Sequence, residues 1–290
     1  MKGKVVVITG ATSGIGQVAA EQLAAMGARL VLVARDRKRG EAALARLHQS
    51  GPGLAHSVHY ADLSRVAEIK RAAAEIAARE PRIDVLINNA GALFSSRQLT
   101  PDGMELTFAT NHASYFVLTH GLRDCLLAAA PSARVINTSS DAHKGNRLDF
   151  ADLQSAQGFS GFKVYGRSKL ANILYTRELA RRFAGAGVTA NCLHPGFVAT
   201  RFGDHSGGMF SVLVRVAKAF AAISPEKGAK TIVYLASSDD VAGVSGKYFY
   251  KCREATPTRE ARDDDAARRL WQETEKLTGV VYEPAAARVG

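Results

Sequence analysis

The stretch VYGRSKLANI places Tyr165 and Lys169 four residues apart, so a helix would carry both on one face. A phenol with an ammonium one turn away is either a working acid with its tuner or a solvated surface pair, and the stretch by itself admits both. Two other groups have residue types that could take part in chemistry. Ser139 and Ser140 end the run INTSS, and Asn111 interrupts the apolar run ATNHASYF. Taken alone, the serines read as a strand-end turn and the asparagine as a polar break within a helix.

A fourth group can bind rather than react. TGATSGIGQVAAEQLAAMGA puts Gly10, Gly14 and Gly16 between an apolar run and a helix-period segment. The spacing differs from G-x-G-x-x-G, but the physics carries over. One glycine permits a sharp turn, one lets backbone approach a pyrophosphate, and one allows close helix packing. The helix N-terminus then offers unpaired N–H groups and a positive dipole end to phosphates.

Elements able to position these groups follow from periodicity. Apolar, β-branched runs at 4–9, 29–34, 55–60, 83–88, 134–138, 188–193 and 246–250 read as strands. Helix-period segments lie at 14–27, 37–49, 65–79, 104–129, 162–185 and 225–236. Short strands alternating with longer helices predict a Rossmann-type, doubly wound parallel sheet of seven strands in one α/β domain spanning 1–290. Runs such as KVVVITG, with no polar side, fit a sheet covered on both faces.

Composition narrows the function classes. The apolar fraction of 47% is that of a globular chain with a sizeable core. The net charge of +11 raises the question of nucleic acid, but from 251 to 290 eight basic residues meet eight acidic ones. The clearest local excess is RDRKRG at 35–40, a short loop better suited to one phosphate than to a polyanion track, so no nucleic-acid partner is expected. Cys125, Cys192 and Cys252 are too far apart for a metal cluster and are expected as reduced thiols; no metal site is expected. The first apolar run, 5–8, is too short for a signal core or a membrane span, so a cytoplasmic protein without a membrane anchor is expected.

Together these motifs resemble the short-chain dehydrogenase/reductase family: TGATSGIG, NNAG at 88–91, Asn111, the serine pair, YGRSK and HPGFVAT at 194–200 stand in the family's order. SSDAHKG, GFKVYGRSKLANILYTRELARR, VSGKYFYKC and RRLWQETEKLTG are most similar to its retinol dehydrogenase and WW-domain oxidoreductase branch. That branch's N-terminal anchor and WW module have no counterpart here, which turns the expectation toward another carbonyl substrate.

The resemblance implies that Tyr165 is the general acid in reduction and the base in oxidation. Lys169 would favour the phenolate and bind the nicotinamide ribose. Ser140, the second serine of its pair, would hydrogen-bond the substrate oxygen, and Asn111 would hold a water next to Lys169. It further implies a dinucleotide held by Gly10, Thr12, Ser13, Gly14, Ile15 and Gly16, by Asp62 and Leu63 at the adenine, and by Asn89, Ala90 and Gly91. Tyr165, Lys169, Pro195, Gly196, Val198 and Thr200 would complete the set that holds it.

At the tip of the second strand an NAD enzyme carries an acid, where this chain has Ala34. Arg35 follows and could bind a 2′-phosphate, with Arg37 and Lys38 nearby, so NADP is expected; Asp36 keeps NAD as the alternative. Residues 201–224 match the family's variable substrate lid, and their apolar face suits a lipophilic ketone, aldehyde or alcohol. The segment 143–162 is expected to form the other wall of the entrance. The expected function is NADP-dependent interconversion of alcohol and carbonyl by a homodimer or homotetramer. A non-catalytic dinucleotide-binding sensor on the same fold is the rival, and it would not need the intact set of four.

Overall fold

The chain is described by a computed structural model covering residues 1–196 and 224–282. Its first strand, β1 (Val5–Thr9), is VVVIT, and Val6, Val7 and Ile8 have no exposed surface, as a central strand covered on both faces requires. Chain order then runs α1 (Gly14–Ala25), β2 (Arg29–Ala34), α2 (Arg37–Ser50), β3 (Ser57–Tyr60), α3 (Val66–Arg79) and β4 (Val85–Asn88). The second half has α4 (Leu106–Phe108), a π-turn (Ala109–Ala113), α5 (Ser114–Gly121), α6 (Arg123–Leu127), β5 (Ala133–Thr138), α7 (Gly161–Arg182) and β6 (Val188–Leu193). It closes with α8 (Pro225–Ser237), β7 (Tyr248–Tyr250), β8 (Arg253–Glu254) and α9 (Asp264–Thr278).

The strands lie in the order β3-β2-β1-β4-β5-β6-β7-β8. The first seven are mutually parallel, as the alternating pattern predicts; β8 adds a two-residue antiparallel edge, pairing Phe249 with Glu254 and Tyr250 with Arg253. Order reverses between β1 and β4, and at such a switch point loops diverge to opposite faces and leave a crevice at the carboxyl ends of the strands. The glycine-rich turn, the tip of β2, and the turns after β4, β5 and β6 all open on that edge.

Two apolar layers sandwich the sheet. One holds Ala19, Leu23, Leu47 and Ile232 from α1, α2 and α8; the other holds Ile76, Phe116, Leu174 and Trp271 from α3, α5, α7 and α9. Small residues on the buried face of α1 (Gly16, Ala19, Ala20, Ala24) let that helix lie close on the sheet.

The expected helix over 104–129 is broken. Glu105 caps α4 by accepting from the N–H groups of Thr107 and Phe108, the backbone then winds in π form over 109–113, and Leu122 (φ −106°, ψ 7°) separates α5 from α6. Helix α9 is an addition to the helices read from periodicity. Asp263 caps it, Gly279 ends it in the left-handed region (φ 60°), and Trp271 is buried among Phe116, Tyr175 and Tyr282 at ring distances of 4.9, 5.7 and 4.6 Å. The expected lid, except for Ser224 at the cap of α8, lies outside the described residues, as do Val198 and Thr200. Within 143–162, Leu148, Phe150 and Leu153 pack against the second apolar layer.

Candidate active site

Helix α7 carries polar residues at 165, 168, 169, 172 and 176, the i, i+3, i+4 spacing of one face, and all are buried: Lys169 is 3% exposed and Asn172 0%. A buried polar stripe must be satisfied by partners, and here they come from the end of β5, the π-turn and carbonyls of α7 itself. Lys169 Nζ donates to the Thr138 carbonyl at the end of β5 (3.2 Å), and the ammonium lies 5.6 Å from the Tyr165 ring centre.

Neighbouring residues at a strand end point to opposite sides, and this separates the two serines. Ser139 is buried and donates its hydroxyl hydrogen to the Lys169 carbonyl (2.7 Å), a structural tie between β5 and α7. Ser140 is half-buried, receives the Ala142 N–H (3.2 Å) and hydrogen-bonds Tyr165. The structure therefore brings Ser140, Tyr165 and Lys169 together and leaves Ser139 behind them.

Asn111 sits in the π-turn, fully buried. Its Oδ1 accepts from the Ala92 N–H (2.8 Å), and its Nδ2 donates to the Ala92 carbonyl (2.9 Å) and to Ser168 Oγ (3.0 Å). Ser168 in turn donates to the Tyr165 carbonyl (2.7 Å). The Asn111 side chain thus clamps the turn after β4 against α7. Gly91 makes room for this: a Cβ there would stand 3.1 Å from Lys169 Nζ and 3.3 Å from Asn111 Oδ1.

Burial sets the protonation of the pair. It pushes the Tyr165 hydroxyl above the ordinary phenol range, with the Ser140 hydrogen bond pulling part of the way back. It pushes the Lys169 ammonium down to about 7. Desolvation penalises whichever form is charged, so the two groups move in opposite directions for the same reason. The site as built holds a protonated phenol, ready to donate, beside an amine that loses or gains its charge near neutral pH.

The binding half lies at the switch point. Gly10 (φ 70°) and Gly14 (φ 61°) occupy the left-handed region, where a Cβ is strained. A Cβ on Gly16 would stand 2.4 Å from both Asn89 Nδ2 and the Gly10 carbonyl. Helix α1 starts from Ser13 without a side-chain cap, so the first N–H groups of Gly14, Ile15 and Gly16 are not taken by a side chain of the helix start. Thr12 and Ile15 are half-buried beside them. The turn after β4 is held over this one: Thr9 Oγ1 accepts from the N–H groups of Asn89 and Ala90, both at 3.0 Å, and Tyr115 donates to the Ala90 carbonyl at 2.8 Å. A glycine cradle whose helix N–H groups carry no side-chain cap from Ser13 fits a diphosphate.

The remaining predicted contacts are placed as follows. Asp62 closes a turn by accepting from the Ser64 N–H (2.9 Å) and hydroxyl (2.8 Å), and Leu63 packs on the second apolar layer. Pro195 and Gly196 (φ 87°) are half-buried beyond β6. At the β2 tip Asp36 caps α2 by accepting from the Arg39 N–H (2.7 Å), Arg37 lies 4.4 Å over the Tyr60 ring, and Arg35 is exposed. Arg39 donates to Ser13 Oγ (3.1 Å) and so puts a guanidinium against the glycine-rich turn. The sequence reading passed over Arg39, although it stands in the same basic run. Asn172, Ser168 and Thr138 were also missed, and the polar spacing along α7 is the signal that finds the first two. Among the described residues no group of three or more His, Cys, Asp or Glu could hold a metal, and no helix is long and apolar enough to cross a membrane. The three cysteines are free thiols.

The model of the short chain dehydrogenase family matches residues 4–207. Retinol dehydrogenase 14 of Mus musculus is 41% identical over 297 residues, covering 97% of this chain and 87% of that protein. Retinol dehydrogenase 13 of Homo sapiens is 41% identical over 293 residues, covering 96% and 85%. The crystal structure of an uncharacterized protein from Mycobacterium Paratuberculosis matches with a TM-score of 0.75 and 31% identity over 96% of this chain and 94% of that one.

Proposed function

The chain belongs to the short-chain dehydrogenase family and is an oxidoreductase of its retinol dehydrogenase branch, and from that premise we propose that it interconverts a lipophilic alcohol and its ketone or aldehyde with NADP(H), using Tyr165 as the general acid and base. The observation that carries this reading is the convergence of Tyr165, Ser140 and Lys169 on the edge that holds the glycine cradle.

When bound, the nicotinamide gives or accepts the hydride. Everything else falls to the chain. In reduction the Tyr165 hydroxyl gives its proton to the carbonyl oxygen as the hydride reaches carbon, and burial keeps that hydroxyl protonated beforehand. Ser140 donates a second hydrogen bond to the same oxygen as its charge develops. Lys169 supplies positive charge near the phenol and donors for the ribose hydroxyls. Asn111 clamps the turn after β4 against α7, and Gly91, lacking a Cβ, leaves room there for the lysine.

The preference for NADP rests on Asp36, whose carboxylate is engaged in capping α2, and on Arg35 and Arg39 at the same tip. By the same family reading the protein is a homodimer or homotetramer, which sedimentation tests; the cytoplasmic location expected from the sequence is tested by fractionation. The deciding experiment scores a panel of lipophilic ketones and aldehydes by NADPH oxidation. Tight dinucleotide binding with no turnover of any member would replace the enzyme reading with the non-catalytic sensor.

A further inference from the structure

The polar stripe on α7 does not stop at Lys169. We propose that Asn172 and His112 are positioning residues: a buried chain from the C-terminal helix α9 through His112 and Asn172 holds the Asn111 and Thr138 carbonyls where Lys169 needs them. This deepens the catalytic reading above and rests on it.

The chain can be followed group by group. Asn172 Nδ2 donates to the Asn111 carbonyl at 2.9 Å and to the Thr138 carbonyl at 3.2 Å. The Thr138 carbonyl also accepts from Lys169 Nζ at 3.2 Å, so one oxygen is shared by the lysine and the asparagine. Asn172 thereby ties the π-turn that carries Asn111 to the end of β5 that leads into Ser140. Both of its amide hydrogens face carbonyl oxygens, which fixes the amide orientation, because the flipped amide would set oxygen against oxygen.

That orientation points Asn172 Oδ1 at His112 Nδ1, 3.4 Å away, while His112 Nε2 lies 3.0 Å from Thr274 Oγ1 on α9. An amide oxygen only accepts, so the hydrogen facing Asn172 sits on Nδ1, which leaves Nε2 an acceptor beside the Thr274 hydroxyl. The Leu270 carbonyl, 2.7 Å from Thr274 Oγ1, is the other acceptor that hydroxyl can reach. His112 and Asn172 are 1% and 0% exposed, so no bulk water can substitute for a lost partner. The ring is wedged by Phe108 (5.0 Å) and Tyr175 (5.8 Å), and burial holds it neutral. Neither residue reaches the crevice; both act through the carbonyls they hold.

The test compares Asn172→Leu, His112→Leu, Thr274→Val and His112→Asn, the last keeping an amide N–H near the position of Nδ1. The readouts are affinity for the tighter-binding of NADPH and NADH by fluorescence titration, kcat and KM for the best carbonyl substrate, and thermal unfolding. A small misplacement of catalytic groups costs about 10²-fold in rate, so Asn172→Leu and His112→Leu are expected to lower kcat by roughly 10- to 100-fold with little change in KM. Both should also weaken dinucleotide binding, Thr274→Val should do less, and His112→Asn should regain most of the loss. Folded variants within about twofold of wild type in kcat and affinity would overturn the proposal, since that is below the scale set by misplacement. So would equal losses in His112→Asn and His112→Leu, which would mark a role in packing only. If Asn172→Leu does not fold, the two His112 variants decide. If wild type turns over no carbonyl, the catalytic reading fails and the affinity series alone judges this one; binding of neither dinucleotide overturns both.

Discussion

Replacing Tyr165 by phenylalanine separates the ring from its hydroxyl. The ring is 7% exposed and stays in place, so its packing is kept. What goes is one hydroxyl and its hydrogen bond with Ser140, a half-buried group that water can re-satisfy. A neutral hydrogen bond contributes about 0.5–1.5 kcal/mol, and the desolvation of the phenol oxygen offsets part of that. The stability change should therefore stay under about 1 kcal/mol, or a Tm shift of at most roughly 2–4 °C. Carbonyl reduction loses the proton donor, worth ~10²–10⁴-fold, and also one donor to the developing oxyanion. The expected result is a folded protein with near-wild-type dinucleotide affinity and at most about 1% of wild-type turnover. Lys169→Ala should instead weaken dinucleotide binding as well, because the ribose donors leave with the charge. The assays are fluorescence titration of NADPH and turnover of the best substrate found. Near-wild-type turnover by Tyr165→Phe would refute the reasoning and leave the buried pair as a structural element only.

Other perturbations test the remaining parts of the site. In Gly16→Ala the new Cβ would meet Asn89 Nδ2 and the Gly10 carbonyl at 2.4 Å, so the cradle must open; a stability loss of about 1–3 kcal/mol with loss of dinucleotide binding is expected, and unchanged affinity in titration would contradict it. Lys169 has its pKa lowered to about 7 by burial, so between there and its unfolded value the unfolded chain binds the extra proton, and stability of the dinucleotide-free protein rises with pH. Lys169→Met should remove that slope, and thermal melts of both proteins from pH 7 to about 9.5 that run parallel would show the lysine is not desolvated. Arg35→Ala and Arg39→Ala should each weaken NADPH binding much more than NADH binding; equal losses, or a wild type that prefers NADH, would remove NADP as the cofactor.

How much of this was legible in the sequence depended on the range of the interaction. The succession of seven strands along the chain, the glycine cradle and the face shared by Tyr165 and Lys169 arise from spacing within a few residues, where backbone geometry ties position in the chain to position in space. Helix α9 also carried its signals, with Asp263 before it and Gly279 after it, but its amphipathic run was not read as an element. Other features had no local signal. The break at 109–122 looks like continuous helix in periodicity, because a π-turn shifts the ladder without changing the apolar pattern. Adjacent serines are equivalent as letters, and only the pleat at the end of β5 turns Ser139 to the Lys169 carbonyl and leaves Ser140 with Tyr165. Arg39 meets Ser13 across 26 residues, and His112 meets Thr274 across 162. Hydrogen bonds of a few ångströms between such distant residues are decided by how the loops and layers close. Residue types and short spacings therefore determined which groups could do the chemistry, and tertiary packing decided which of them face one another.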